Sequence, residues 1–158
     1  MARELITSWG DYQTAIDRIL TMATDHIFIY DEDLSLLKLD SALRLSEIKR
    51  VTLAGQTGCF KIVVRNDQPM ARNNPLLLNL LTTYSHKTQS RISPPDLAHL
   101  RDRMILVDGK HGLIGFEQEQ ARSKFLTDEA EELRPYYQRF QEIGHASGEI
   151  AGTSVLGL

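Results

Sequence analysis

Residues 100–116 read LRDRMILVDGKHGLIGF, and this stretch decides the fold. Its two apolar runs, Arg103 to Val107 and Leu113 to Phe116, have the length of short buried strands. The segment Asp108-Gly109-Lys110-His111-Gly112 joins them, and a glycine-containing loop of this length predicts a β-hairpin. Arg101 and Arg103 stand two residues apart at the start of the first run, so strand alternation would point both side chains to one face.

The rest of the chain alternates helical and strand-like segments. Apolar residues at helical spacing predict amphipathic helices, and short runs rich in β-branched residues predict buried strands. In chain order the predicted elements are a helix from Ser8 or Gly10 to Met22, a strand at His26–Tyr30, a helix from Asp40 to Arg50, a strand at Phe60–Val64, a helix capped by Asn73 or Asn74 with Pro75 at its first position, a strand at Gln89–Ile92, the hairpin, and a helix opened by Asp128. Pro135 would either delay the start of this last helix to about Arg134 or kink it. This order predicts an α/β (α+β) fold, a mixed β-sheet flanked by helices.

Composition limits the classes of function. The 158 residues are 42% hydrophobic, enough for one core. Residues 1–143 are therefore predicted to form a single domain, and residues 144–158 a weakly patterned tail, frayed or free to bind a partner. The lack of a membrane-length apolar run and the lone Cys59 fit a soluble, cytoplasmic protein, for which neither a metal nor a cofactor is expected. The net charge of −3 argues against nucleic-acid binding by bulk electrostatics.

The hairpin and the elements before it, from about Trp9 to Phe140, resemble one half of the phospholipase D superfamily. Active members carry a motif of His, any residue, Lys, four residues, Asp, six residues, then Gly-Ser, any residue and Asn. Counting back from Asp108 puts Arg101 at the histidine position and Arg103 at the lysine position. The segments IYDEDLS, FKIVVRN and LRDRMILVDG further resemble an uncharacterised bacterial branch of degenerate phospholipase D-like domains.

The second half of the motif is also altered. Gly115 stands at the glycine position, Phe116 at the serine and Gln118 at the asparagine, so only Asp108 and Gly115 are identical to the motif. An aspartate followed by glycine is typical of a hairpin turn, where its carboxylate accepts hydrogen bonds from backbone amides. We therefore interpret Asp108, Gly109 and Gly115 as structural turn residues.

The resemblance implies a pseudoenzyme. In active members one histidine attacks phosphorus, a second protonates the leaving oxygen, and lysines neutralise the phosphate. Arg101 can take neither histidine role, because a guanidinium is neither a nucleophile nor a proton shuttle near neutral pH. Arginines do bind phosphates and carboxylates through bidentate hydrogen bonds, so Arg101, Arg103 and Gln118 are predicted to bind an anionic, phosphate-containing ligand. The alternative is a structural, salt-bridged arginine pair around Asp102.

The resemblance also implies partners. Single-motif members of the superfamily complete their site by pairing two copies, so a homodimer is expected. A residual phosphodiesterase active only as a homodimer is an alternative function. Some degenerate domains of the bacterial branch are fused to acetyltransferases, which implies an acetyltransferase-type protein partner.

A rival function begins at the first predicted strand. IFIYDEDLS resembles the first motif of haloacid dehalogenase-type phosphatases, an apolar strand followed by Asp, any residue and Asp. Asp31 would then be the nucleophile and Asp33 the acid/base, with magnesium held by carboxylates. The later segments fit this family poorly, since FKIVVRN lacks the expected Ser or Thr.

Overall fold

The computed structural model describes residues 2–149, which form one mixed sheet with helices on both faces. The strands are β1 (Ala2–Ile6), β2 (Ile27–Asp31), β3 (Phe60–Val64), β4 (Thr88–Ile92), β5 (Arg103–Val107), β6 (His111–Gly115), β7 (Ser123–Thr127) and β8 (Gly148–Glu149). The helices are α1 (Trp9–Met22), α2 (Ala42–Ala54), α3 (Met70–Asn73), α4 (Pro75–Thr83) and α5 (Ala130–Ala146), with a 3₁₀ turn at Pro95–Leu97. The strand order is β1-β7-β6-β5-β2-β3-β4-β8. Strands β2, β3 and β4 are parallel, and the other neighbours are antiparallel.

Each face of the sheet has its own core. On one face α1, α2 and α4 cover side chains such as Ile29 and Ile62. On the other face α5 packs Leu133 and Phe140 against a cluster that includes Tyr30. Strands covered on both faces are apolar at successive positions, which is why the central strands are continuous hydrophobic runs in the sequence. The predicted α+β fold with a mixed sheet flanked by helices is confirmed.

Serine side chains begin the first two long helices. The hydroxyl of Ser8 accepts a hydrogen bond from the Asp11 amide in α1, and Ser41 caps α2 in the same way. Asp40, the predicted cap of α2, has a different role. Its carboxylate accepts hydrogen bonds from the amides of Leu76 and Leu77, in the first turn of α4. A residue just before one helix thus caps another that follows much later in the chain.

The hairpin has a shorter loop than predicted. β6 begins at His111, which pairs with Val107, so the turn consists of Asp108, Gly109 and Lys110. Asp108 and Gly109 both have positive φ, 58° and 75°, as tight hairpin turns that match the strand twist require. The five-residue loop is wrong because Gly112 belongs to β6. There it allows close packing of α5, since a Cβ at this position would lie 2.5 Å from Leu133.

The C-terminal helix is longer than the sequence indicated. α5 begins at Ala130 and continues through Pro135, so the predicted start near Arg134 is wrong. The helix also extends beyond residue 144 to Ala146, and β8 then pairs with the edge strand β4. The predicted tail therefore begins later than residue 144, and its remainder, residues 150–158, lies outside the described residues. Within the described range, no helix is long and apolar enough to cross a membrane.

Candidate functional site

The candidate site lies at the edge of the sheet where the parallel strands end. β5 runs antiparallel to β2, with Tyr30 opposite Met104, so the start of β5 and the end of β2 meet at this edge. Arg103 is therefore at the same edge as Asp31 and as Arg65, which follows β3. Polar groups at the carboxyl ends of parallel strands are a common place for binding sites in open α/β sheets.

Arg103 is a buried structural cation in this edge. Its side chain is only 1% exposed, and its guanidinium lies 4.7 Å from the ring centre of Tyr12 and 5.1 Å from that of Trp9. The guanidinium also donates hydrogen bonds to the backbone oxygens of Glu117 and Gln120 and to the Ser123 hydroxyl. These contacts use the donors that a bound phosphate would require.

Gly115 makes room for this arginine. It is the last residue of β6 and the register partner of Arg103, so it lies in a strand and outside the hairpin turn. A Cβ on Gly115 would lie 2.5 Å from the guanidinium carbon of Arg103, far inside van der Waals contact. The glycine at this motif position is thus explained by close approach of the arginine across the strand pair.

Arg101 lies outside β5 and is 41% exposed. Its Nε donates a hydrogen bond of 2.7 Å to the Glu117 carboxylate, and Glu119 lies 3.8 Å from another guanidinium nitrogen. The hydrogen bond with Glu117 raises the pKa of Arg101, and the same bond lowers the pKa of Glu117. Arg101 and Arg103 are thus linked through Glu117, one at its side chain and one at its backbone.

Gln118 is held by a residue that sequence analysis missed. Arg65 donates a hydrogen bond of 3.0 Å to the Gln118 amide oxygen. Its other terminal nitrogen donates to the backbone oxygens of Leu100 and Asp102. Arg65 therefore joins the end of β3 to the segments on either side of the hairpin. The available signal was a cation directly after the apolar run FKIVV.

A shallow groove of about 320 Å³ surrounds Arg101 and faces α5. Its lining residues are His99, Leu100, Arg101, Asp102, Phe116, Glu117, Tyr136 and Arg139. Arg139 on α5 donates a 3.0 Å hydrogen bond to Asp102, and Phe116 is 53% exposed at the rim. Arg103 does not line this groove, because its side chain points towards α1. The structure therefore separates the two predicted arginines.

Asp108 and Gly109 lie at the opposite edge of the sheet. The Asp108 carboxylate accepts hydrogen bonds from the amides of Thr24, Asp25 and His26, at the entrance to β2. Burial alone would raise the pKa of Asp108, but these hydrogen bonds lower it below its ordinary value. Gly109 donates its amide hydrogen to the Tyr137 hydroxyl, which also bonds to His26. This aspartate connects the hairpin turn to the start of the central strand.

The acidic pair of the rival function is not open to a substrate. Asp31 is completely buried, and burial raises its pKa to about 6 even though the Leu34 amide donates to it. The Asp33 carboxylate accepts hydrogen bonds from the amide and hydroxyl of Ser35. Among residues 2–149, no group of three or more His, Cys, Asp or Glu side chains could hold a metal ion.

Residues 9–151 match the sequence model of the Domain of unknown function (DUF7931). The chain belongs to this family. A search of curated proteins finds no match. Family membership covers all the elements from α1 onwards and so includes the whole candidate edge.

Solved structures share the fold of this DUF7931 domain. TrmBL2, an archaeal chromatin protein whose structure shows a novel mode of DNA binding, has a TM-score of 0.70 at 10% identity over 95% of this chain and 55% of that one. Nuc from Salmonella typhimurium, a phospholipase D family member, has a TM-score of 0.65 at 12% identity over 94% and 97%. NucT from Helicobacter pylori has a TM-score of 0.63 at 12% identity over 94% and 99%. The chain thus spans about half of TrmBL2 but nearly all of Nuc and NucT, and the predicted phospholipase D-like fold is confirmed.

Proposed function

We propose that this chain is a non-catalytic phospholipase D-like domain that binds an anionic, phosphate-containing ligand through Arg101. The main support is a single observation: the position of the motif histidine holds an arginine, whose guanidinium stands at a groove with 41% of its side chain exposed. A guanidinium binds phosphate well but cannot attack phosphorus or exchange protons near neutral pH. Binding without turnover follows from that substitution.

Arg103 at the lysine position supports the same proposal. An active lysine would have to reach the phosphate, whereas the Arg103 guanidinium is engaged by two backbone oxygens and a serine hydroxyl inside the protein. Arg103 and Gln118 are then positioning residues, which hold the segment around Glu117 beside Arg101. Arg101 alone of the three predicted residues would contact the ligand.

The groove offers the ligand further contacts. Arg139 lines the wall opposite Arg101, and the rings of Phe116 and Tyr136 flank the space between them. The ion pair between Arg101 and Glu117 is solvent-exposed on both sides, and exposed pairs contribute little stability. A phosphate can therefore displace the Glu117 carboxylate at small cost and take a bidentate position on Arg101.

Two measurements test the proposal. First, purified protein is assayed with bis-p-nitrophenyl phosphate and with phospholipid, and no hydrolysis above background is expected. Metal-independent turnover that Arg101→Ala abolishes would refute the absence of catalysis, and a turnover found only in a dimeric fraction would support the residual homodimeric phosphodiesterase. Second, inorganic phosphate, nucleotides and short DNA are titrated into wild type, Arg101→Ala and the control Arg134→Ala, which removes an exposed arginine elsewhere on α5. Equal affinities in all three proteins would refute binding at Arg101.

A protein partner is the second candidate function. The groove contains two arginines and two carboxylates, Arg101 and Arg139 against Asp102 and Glu117, so its charge is balanced. Exposed Phe116 at the rim adds the aromatic and arginine composition that is enriched at protein interfaces. The expected partners are a second copy of the chain or an acetyltransferase-type protein. Light scattering after gel filtration tests the first, and loss of a dimer in Phe116→Ser would assign it to this groove.

A further inference from the structure

A second groove lies at the same edge of the sheet, among the loops that follow β2 and β3. It has a volume of about 520 Å³, within the range of small-molecule sites. Its lining residues are Leu34, Ser35, Lys38, Asp40, Ser41, Arg72, Asn73 and Asn74. None of these residues belongs to the groove at Arg101, so the two grooves can be tested separately.

Two cations of this groove have no counter-charge. Neither Lys38 nor Arg72 makes an ion pair or a side-chain hydrogen bond with any residue from 2 to 149. The one carboxylate in the lining, Asp40, is already bound to the first amides of α4, whose positive helix end offsets its charge. The situation differs from that of Arg101, which faces Glu117. The groove at Lys38 and Arg72 is therefore the more electropositive of the two.

Asn74 adds an unused polar group to the same groove. It is 1% exposed, and its Oδ1 atom accepts no hydrogen bond within the described residues. Asparagine at the start of a helix ordinarily caps it, but here Asp40 occupies the capping position and the Asn74 side chain makes no capping bond. A buried acceptor left without a donor is costly, so each such atom requires an explanation. A hydroxyl group of a ligand would supply the missing donor.

We propose that this groove binds a phosphorylated polyol, with the phosphate on Lys38 and Arg72 and a hydroxyl donating to Asn74 Oδ1. Unpaired cations at exposed positions favour a phosphate, and a buried acceptor favours a hydroxyl next to it. Ser35, Ser41 and Asn73 add hydroxyl and amide groups suited to further polyol oxygens. The site is independent of the function proposed for Arg101.

The test uses ribose 5-phosphate, ribose and inorganic phosphate, titrated calorimetrically into the full chain. Ribose 5-phosphate is expected to bind more tightly than either fragment, because it alone supplies both groups. Binding of ribose 5-phosphate no tighter than that of inorganic phosphate would remove the hydroxyl contact. No binding of ribose 5-phosphate at concentrations up to about 10 mM would overturn the proposal.

A charge-matched pair of variants locates the site. The double variant Lys38→Ala/Arg72→Ala is expected to bind ribose 5-phosphate at least about tenfold more weakly. The control Lys49→Ala/Arg122→Ala removes two exposed cations from outside the groove and should bind like wild type. Equal weakening in both variants would reduce the effect to net charge and refute the site. Arg101→Ala should leave this affinity unchanged, which separates the result from that of the proposed function.

Discussion

The close contact between Arg103 and Gly115 predicts a strong energetic coupling between two positions of the altered motif. In wild type, Gly115→Ala places a methyl group 2.5 Å from the Arg103 guanidinium carbon. Relief of such overpacking typically costs about 1–3 kcal/mol. In an Arg103→Ala background the obstacle is gone, and the same substitution should be neutral or stabilise the strand by up to about 1 kcal/mol. The expected coupling energy is therefore about 2 kcal/mol.

The single variant Arg103→Ala should itself be strongly destabilised. It leaves two backbone oxygens and the Ser123 hydroxyl without their donor, and it removes the cation from the rings of Trp9 and Tyr12. Disrupting a buried charged network of this kind typically costs about 3–5 kcal/mol. Much of that cost is the desolvation of groups left unpaired.

Urea unfolding of the four proteins of this cycle measures the coupling. Trp9 is the only tryptophan and reports on this corner of the fold, with far-UV circular dichroism as a second probe. Gly144→Ala is the matched control, because a Cβ at Gly144 would contact nothing. Its effect should be the same with and without Arg103. A Gly115–Arg103 coupling below about 0.5 kcal/mol would refute the steric argument. If Arg103→Ala does not fold, Gly115→Ala no less stable than Gly144→Ala would also refute it.

Three further predictions concern buried or capping carboxylates. Because burial raises the pKa of Asp31 from 3.8 to about 6, the fold prefers its neutral form, so stability should fall by up to about 3 kcal/mol as pH rises through that range. Asp31→Asn should remove this fall in urea midpoints, and an unchanged pH profile would contradict it. Asp108→Ala should cost about 2–4 kcal/mol by leaving the amides of residues 24–26 unpaired. Since the pKa of Asp108 is lowered, its contribution is complete above the ordinary value and lost in acid; a variant that loses stability equally at pH 3 and pH 7 would argue against this role. Asp40→Ala should lower stability in thermal melts by about 1 kcal/mol through loss of the α4 cap, and an unchanged melting temperature would exclude that cap.

Central strands were predictable, whereas edge strands were not. The strands β2, β3 and β5 are continuous apolar runs because helices cover both faces of the sheet. β1 is different, since four of its five residues are exposed and it is held by backbone pairing with β7. An exposed strand leaves no apolar pattern in the sequence, so β1, β7 and β8 were not predicted.

The candidate site was predicted in part for a similar reason. Strand alternation placed Arg101 and Arg103 on one face, but Arg101 lies outside β5, where alternation no longer applies. The two side chains consequently point to different parts of the edge, Arg103 towards α1 and Arg101 into the groove beside α5. Arg65, which organises the same edge, was missed because its partners lie more than thirty residues away.

The sequence by itself determined the central strands, the main helices and the loss of the motif histidine and lysine, because burial patterns and residue chemistry are local properties. Only the tertiary structure decided which groups each polar side chain meets. Asp108 binds amides more than eighty residues earlier, and Asp40 caps a helix that starts beyond another strand. Such pairs form when the sheet brings distant loops to one edge, and no local pattern records them. For that reason Arg103 became a buried structural cation while Arg101, two residues away, stayed exposed.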